Sequence, residues 1–191
     1  MWMAESAPEI GWLLLVSAVE TAAKCWDQSR AGPIDRLRYS KPELVKTVEE
    51  RCPDLLSILA DEFRDSLGVT QKFVSFILRF LPPPPTTRPP TGFQVSWESD
   101  DLNRHLRRIY GYRSNALHSG EPFPAPMCEP PRRLFAESPE VPEVPLGLAV
   151  STLGATWLHE DTPMLLHVFE YIARSALKSW WSSLRGVDAT R

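Results

Sequence analysis

Proline decides first what this chain cannot be. Of its 19 prolines, six crowd into "PPPPTTRPPTG" at residues 82–92 and eight more fall between residues 119 and 150. A proline has no N–H to donate and its ring clashes with the preceding turn, so neither block can be helix interior or central strand. The first block should run as an extended, semi-rigid segment. It is read as a long loop inside one domain spanning residues 1–191, because neither half of the chain has enough helices to bury its apolar faces alone. Proline-rich runs also serve as ligands of SH3-like domains, a purely compositional reading.

Helical periodicity is confined to the stretches between these blocks. "PEIGWLLLVSAVETAAKCW", from Pro8 to about Trp26, is apolar on most sides and reads as a buried helix, with Pro8 in its first turn. Glu20 lies in that apolar surrounding and needs a partner if buried. "RAGPIDRLRYSK" reads as a connector. Ser40 and Glu43 have capping-box spacing for a short helix, "KPELVKTVEERC", ending before Pro53. A third helix, "PDLLSILADEFRDSLG", places Leu55, Leu56, Leu59 and Phe63 at helical spacing and stops at Gly68. A fourth, "VTQKFVSFILRFL", presents Phe73, Phe76, Ile77 and Phe80. A fifth begins at Ser99 as its cap and runs to His118.

The second proline-rich stretch, residues 119–150, carries Arg132 and Arg133. "LGLAVSTLGATWL" has enough β-branched residues for one short hairpin. The last helix is predicted over about 163–184, capped by Thr162 with Pro163 in first position. Its stripe runs Leu165, Leu166, Phe169, Ile172, Ala173, Ala176, Leu177, Trp180, Trp181 and Leu184. Glu170, Arg174 and Lys178 follow one another at i,i+4 on the opposite face. The fold class is therefore all-α, a bundle of about five to six helices with long loops.

A net charge of -3 and a pI near 5.8 exclude a molecule whose whole surface attracts nucleic acid, so any basic patch must be local. The three cysteines, Cys25, Cys52 and Cys128, are far apart and lack a CxxC pair. That argues against a disulfide framework or zinc site and suits a reducing compartment. "MWMAESAPE" has no basic n-region, and "IGWLLLVSAV" is half the length needed to span a bilayer. The expected localisation is cytoplasmic, with no membrane partner. "HEDTPMLLHVFE" places His159, His167 and Glu170 at no defensible ligand spacing, so no metal is assigned.

The fifth helix holds the anomaly. Leu102, Leu106, Ile109, Ala116 and Leu117 fall on one face at about 100° per residue, opposite Asp101, Arg104, Arg107 and Arg108. Arg113 projects into the centre of the apolar face. A guanidinium does not lose its charge, so it must meet a carboxylate, a phosphate or a hydrated interface there. His118, five residues on, lies about 140° around an ideal helix. Ser119-Gly120 and Pro122 are stop signals, so a fraying last turn would let the histidine swing towards the arginine.

"YGYRSNALHSGEPFP" resembles the Arg-x4-6-His signature of the HEPN superfamily (higher eukaryotes and prokaryotes nucleotide-binding domain). In detail it is similar to the Apea-like branch, with Tyr110, Arg113, Ser114 and His118 in matching places. Ala18-Val19-Glu20 and "FEYIARSAL" at residues 169–177 resemble that branch's flanking helices, so the likeness spans about residues 10 to 184. The resemblance implies an all-α homodimer that joins two Arg-His motifs in one cleft. It also implies a metal-independent endoribonuclease without cofactor, acting on RNA in a defence or toxin-antitoxin setting, with an antitoxin or larger defence complex as partner.

In that reading His118 moves the proton, since only its ordinary pKa lies near neutrality. Arg113 holds phosphate oxygens through its planar fork. Ser114 and Asn115 bond phosphate or ribose, and Arg104, Arg107 and Arg108 supply a basic approach. The family favours an amide or acid directly after the arginine, where this chain has Ser114.

Plainer roles stand beside these. Glu20 can be the structural partner of Arg113. His118 can simply favour the negative end of the helix dipole. The arginines can form a solvated face balanced by Asp100 and Asp101, and Trp180 and Trp181 can be core or dimer seam. The alternative function is thus a non-catalytic HEPN-like dimerisation or RNA/nucleotide-binding module.

Overall fold

The computed structural model describes residues 6–26, 32–63, 68–130, 132–133, 140–147, 149–152 and 155–188. Among these it holds seven α-helices: α1 (Pro8–Trp26), α2 (Pro33–Ser40), α3 (Pro42–Arg51), α4 (Leu55–Glu62), α5 (Val69–Arg79), α6 (Ser99–His118) and α7 (Leu166–Asp188). The fold is an all-α bundle. Its β-structure is one antiparallel hairpin, β1 (Ala149–Thr152) with β2 (Ala155–Leu158), where the β-branched run predicts it. Among the described residues no helix is long and apolar enough to cross a membrane.

Helix α1 packs against α5, α6 and α7, which is why its sequence is apolar on most sides. Trp12 is the centre of this core. It is fully buried between the rings of Phe123, 5.8 Å away, and Phe169, 5.0 Å away, and its indole N–H donates to the Met127 carbonyl at 3.2 Å. A tryptophan brings a large apolar area and one polar atom, and here both are satisfied. Gly11, one residue earlier, admits the Leu166 side chain. A Cβ there would sit 3.1 Å from Leu166 Cδ2.

Helices α2, α3 and α4 pack on one another around a second, smaller core of Leu37, Val45 and Ala60. Here the structure corrects the sequence reading. The supposed connector is α2, entered through Pro33 in the first turn, where its missing N–H costs nothing. Ser40 is the last residue of that helix and not a cap. Lys41 occupies the N-cap of α3, without a side-chain hydrogen bond, and Pro42 begins the helix. On α4, Leu56, Leu59 and Ala60 face this core, while Leu55 and Phe63 are exposed. Gly68 is the N-cap of α5.

Two caps also differ. Ser99 is the first residue of α6, after Glu98 as N-cap. Thr162 ends a 3-10 turn (His159–Asp161), its hydroxyl donating to the His159 carbonyl at 3.0 Å. Residues 162–165 then run buried and irregular, so α7 starts three residues later than its proline suggests. Phe169, Ile172, Ala173 and Ala176 fill the core, whereas Trp181 and Leu184 lie exposed beyond it.

The proline segment does not float. Trp97 donates its indole N–H to the Pro82 carbonyl at 3.0 Å, and the Tyr171 hydroxyl donates to Pro83 at 2.9 Å. Arg88, the one cation in the run, makes a two-pronged bond to Glu143, Nε to Oε1 at 2.8 Å and Nη2 to Oε2 at 2.6 Å. The guanidinium also reaches the Val95 carbonyl at 2.6 Å and lies 5.0 Å from the Trp97 ring centre. Glu143 is buried and accepts the Val95 N–H at 2.8 Å as well. One ion pair therefore ties the two proline-rich stretches to each other and to the backbone of the core residue Val95.

Candidate functional site

Helix α6 forms over the predicted span, Ser99 to His118. Asp100 and Asp101 lie in its first turn, where carboxylates favour the positive end of the dipole. Leu102, Leu106 and Ile109 are fully buried. Beyond Ile109 the burial becomes partial: Ala116 is half-buried against the core, and Leu117 is 51% exposed. The motif thus sits where the buried face gives way to solvent: Tyr110, Tyr112 and Ala116 still pack against the core, while Leu117 does not.

Arg113 is committed to Glu20. Its Nη2 lies 2.6 Å from Glu20 Oε2, with the two side chains 16% and 10% exposed. Lys24, one turn along α1, holds the other carboxylate oxygen at 3.0 Å. The guanidinium carbon lies 5.7 Å from the Tyr110 ring centre, and Nε is buried without a hydrogen-bond partner. Burial and the Glu20 charge raise the Tyr110 pKa above its ordinary value. A buried carboxylate on α1 and a cation on α6 answer each other, as the composition of both helices requires.

His118 is elsewhere. It is exposed, and α6 remains helical through it, so it keeps an offset of about 140° from Arg113 rather than swinging towards it. The backbone closes behind it through the Ser119 N–H to the Asn115 carbonyl at 2.8 Å. Gly120 follows at φ 68°, a left-handed conformation that favours glycine. Ser114 is half-buried. Asn115 donates its side-chain N–H to Glu121 Oε2 at 2.8 Å.

The basic row is held by neighbours. Arg104 pairs with Asp101, and Arg107 bonds Asn103 at 2.8 Å and also Gln71. Arg108 donates to the Glu160 carbonyl and lies 3.7 Å from Asp161. Tyr112 donates its hydroxyl to the Asp161 carbonyl at 2.7 Å. Arg132 and Arg133 are exposed. Among the described residues no group of three or more His, Cys, Asp or Glu is placed to hold a metal ion.

Two histidines outside the motif are more strongly set by their surroundings. His105 on α6 and His167 on α7 are half-buried, and each has a shielded Nδ1 without a partner. Burial lowers both pKa values below the ordinary 6.5. Arg104 and Arg108 add to the effect at His105 and Asp101 opposes it; Glu143 and Glu170 oppose it at His167. Between the lowered folded value and 6.5 the unfolded chain binds more protons, so stability is full above 6.5 and falls on acidification. Urea midpoints should drop between about pH 7.5 and about pH 5.5, and drop less in the His105→Gln/His167→Gln double variant.

Comparison with family models, curated proteins and solved structures finds no match for this chain. The resemblance rests on the motif string and its flanking helices. Reading residue types alone missed the Arg88–Glu143 staple. Its signals were a single arginine inside a proline run and a glutamate set between Pro142 and Pro145.

Proposed function

We propose that this chain is a HEPN-like helical module that engages RNA as a homodimer, with Arg113 serving first to tie the motif helix to α1. The observation that carries this reading is the ion pair with Glu20. An arginine that holds a transferring phosphate must present its guanidinium to the substrate. Here one nitrogen is bonded to a carboxylate and another is sealed. Leu117 within the motif, and Ile10 and Leu14 on α1, are about half exposed, which supports pairing with a second copy.

A second reading, the metal-independent endoribonuclease, is favoured by His118. Its imidazole is exposed at the end of α6, where an RNA 2'-hydroxyl has access, and a histidine is the side chain type best suited to take or give a proton in such a step. In that reading phosphate must displace Glu20 from Arg113, or a partner copy must supply the second motif. A defence or toxin-antitoxin setting belongs to this reading.

One experiment separates them. Purified protein in EDTA is incubated with several RNAs, wild type beside His118→Ala, with electrophoretic binding and cleavage read together. Binding without cleavage, equal in both proteins, is the outcome expected of the module. Cleavage by wild type that falls at least about a hundredfold in His118→Ala would establish the nuclease instead. Neither binding nor cleavage by a folded protein would remove RNA from both readings.

A further inference from the structure

The arginines of α6 are held in two different ways. Arg104, Arg108 and Arg113 each have a carboxylate within reach: Asp101, Asp161 and Glu20. Arg107 is held by neutral groups. Its Nε donates to the Asn103 side-chain oxygen at 2.8 Å, one turn back on α6, and its Nη2 donates to the side-chain oxygen of Gln71 on α5. Gln71 is fixed in turn, its amide N–H donating to the Ser75 hydroxyl at 3.1 Å.

Amides and carboxylates both orient a guanidinium, but only a carboxylate also cancels its charge. Arg107 therefore presents an oriented and uncancelled cation at an exposed position. Of the five N–H donors of a guanidinium the two amides take two, which leaves three for a ligand. Holding the side chain beforehand also reduces the rotamer entropy lost on binding. The surroundings have the same sign. α5, which supplies Gln71, contains Lys72 and Arg79 and no carboxylate. On α6, Asp101 is paired with Arg104, and Asp100 lies two turns back, about 10 Å along the axis. That separation exceeds the screening length of about 8 Å in physiological salt.

We propose that Arg107, positioned by Asn103 and Gln71, is a phosphate-binding site at the seam of α5 and α6, and that its ligand is the backbone of an RNA strand. A phosphodiester offers two unesterified oxygens to the remaining N–H groups. Contacts of this kind position a strand without reading its sequence. The site deepens the RNA-binding reading and rests on it for the source of the phosphate, a strand rather than a free ion.

Gln71→Glu is the sharpest test. It keeps the size of the side chain and its acceptor, so the thermal midpoint should hold, yet it sets a carboxylate against Arg107. Binding of the full chain to oligo-uridylate and oligo-adenylate is measured across salt concentrations. In Gln71→Glu and in Arg107→Ala the slope of log affinity against log salt should flatten by about 0.7, the single-strand value for one phosphate, and equally for both sequences. Arg174→Ala makes the same change in net charge on α7, at an arginine paired with Glu170, and should leave the slope as in wild type. Inorganic phosphate, followed on the Arg107 Nε–H resonance by NMR, tests the site without RNA. A saturable shift in wild type that Gln71→Glu abolishes is expected. That shift without any RNA binding would overturn the strand as ligand, and the RNA-binding reading with it, and leave free phosphate in the site. RNA binding with an unchanged slope in both variants would overturn the site and leave the RNA-binding reading standing. So would a slope that Arg174→Ala flattens equally, since net charge alone would then account for it.

Discussion

Arg88→Ala is expected to destabilise the fold by about 3–5 kcal/mol, the range for removing one partner of a buried ion pair. The reason is what remains. Glu143 is 6% exposed at its side chain and Arg88 18%, so the carboxylate would keep only the Val95 N–H for company. The Val95 carbonyl would lose its donor, and the face of Trp97 its cation. Urea unfolding followed by circular dichroism measures the loss. An Arg88→Met/Glu143→Leu double variant should recover part of it, because two apolar side chains replace two opposed charges. Recovery should stop about 1–3 kcal/mol short of wild type, since the Val95 N–H and carbonyl would both lack partners. A loss below about 1 kcal/mol for Arg88→Ala would mean that the pair is as weak as a surface salt bridge.

Arg113→Ala is the second large effect, expected at about 3 kcal/mol. It sits at the low end of the buried-pair range because Lys24 still reaches the other oxygen of Glu20. His118→Ala, at an exposed helix end, should stay within about 0.5 kcal/mol. The two motif residues are therefore unequal probes. Loss of function in Arg113→Ala reports folding as much as chemistry, and denaturation midpoints of both variants reveal the asymmetry directly. Glu20→Gln completes the test. It leaves the arginine in place and removes the charge it answers, so a stability loss similar to that of Arg113→Ala would locate the effect in the pair.

Much of the bundle is legible because helical periodicity and burial agree. α5 and α6 end within two residues of their predicted limits, and the buried sides of both follow the apolar spacing. α2 was hidden because Pro33 reads as punctuation, although a proline in a first helical turn breaks nothing. Thr162-Pro163 misled in the opposite sense. The pair has the chemistry of a helix start, yet residues 162–165 are taken into the core before α7 begins. In the motif, the need of Arg113 and Glu20 for partners was readable from each helix alone, and their meeting follows from the packing of α1 on α6. The Arg88–Glu143 pair spans 55 residues of irregular chain, where no periodicity announces which side chains meet.

The proline segment has a consequence for the other side of the folding equilibrium. Each proline in it has φ already confined in the unfolded chain, so ordering Pro82 to Pro90 gives up less backbone freedom than ordering the same length of serine or glycine. Few anchoring bonds then suffice to hold it in place. The residues that forbid helix here are also those that let a long, irregular strap be fixed by two ring-borne donors, one side-chain amide and one guanidinium.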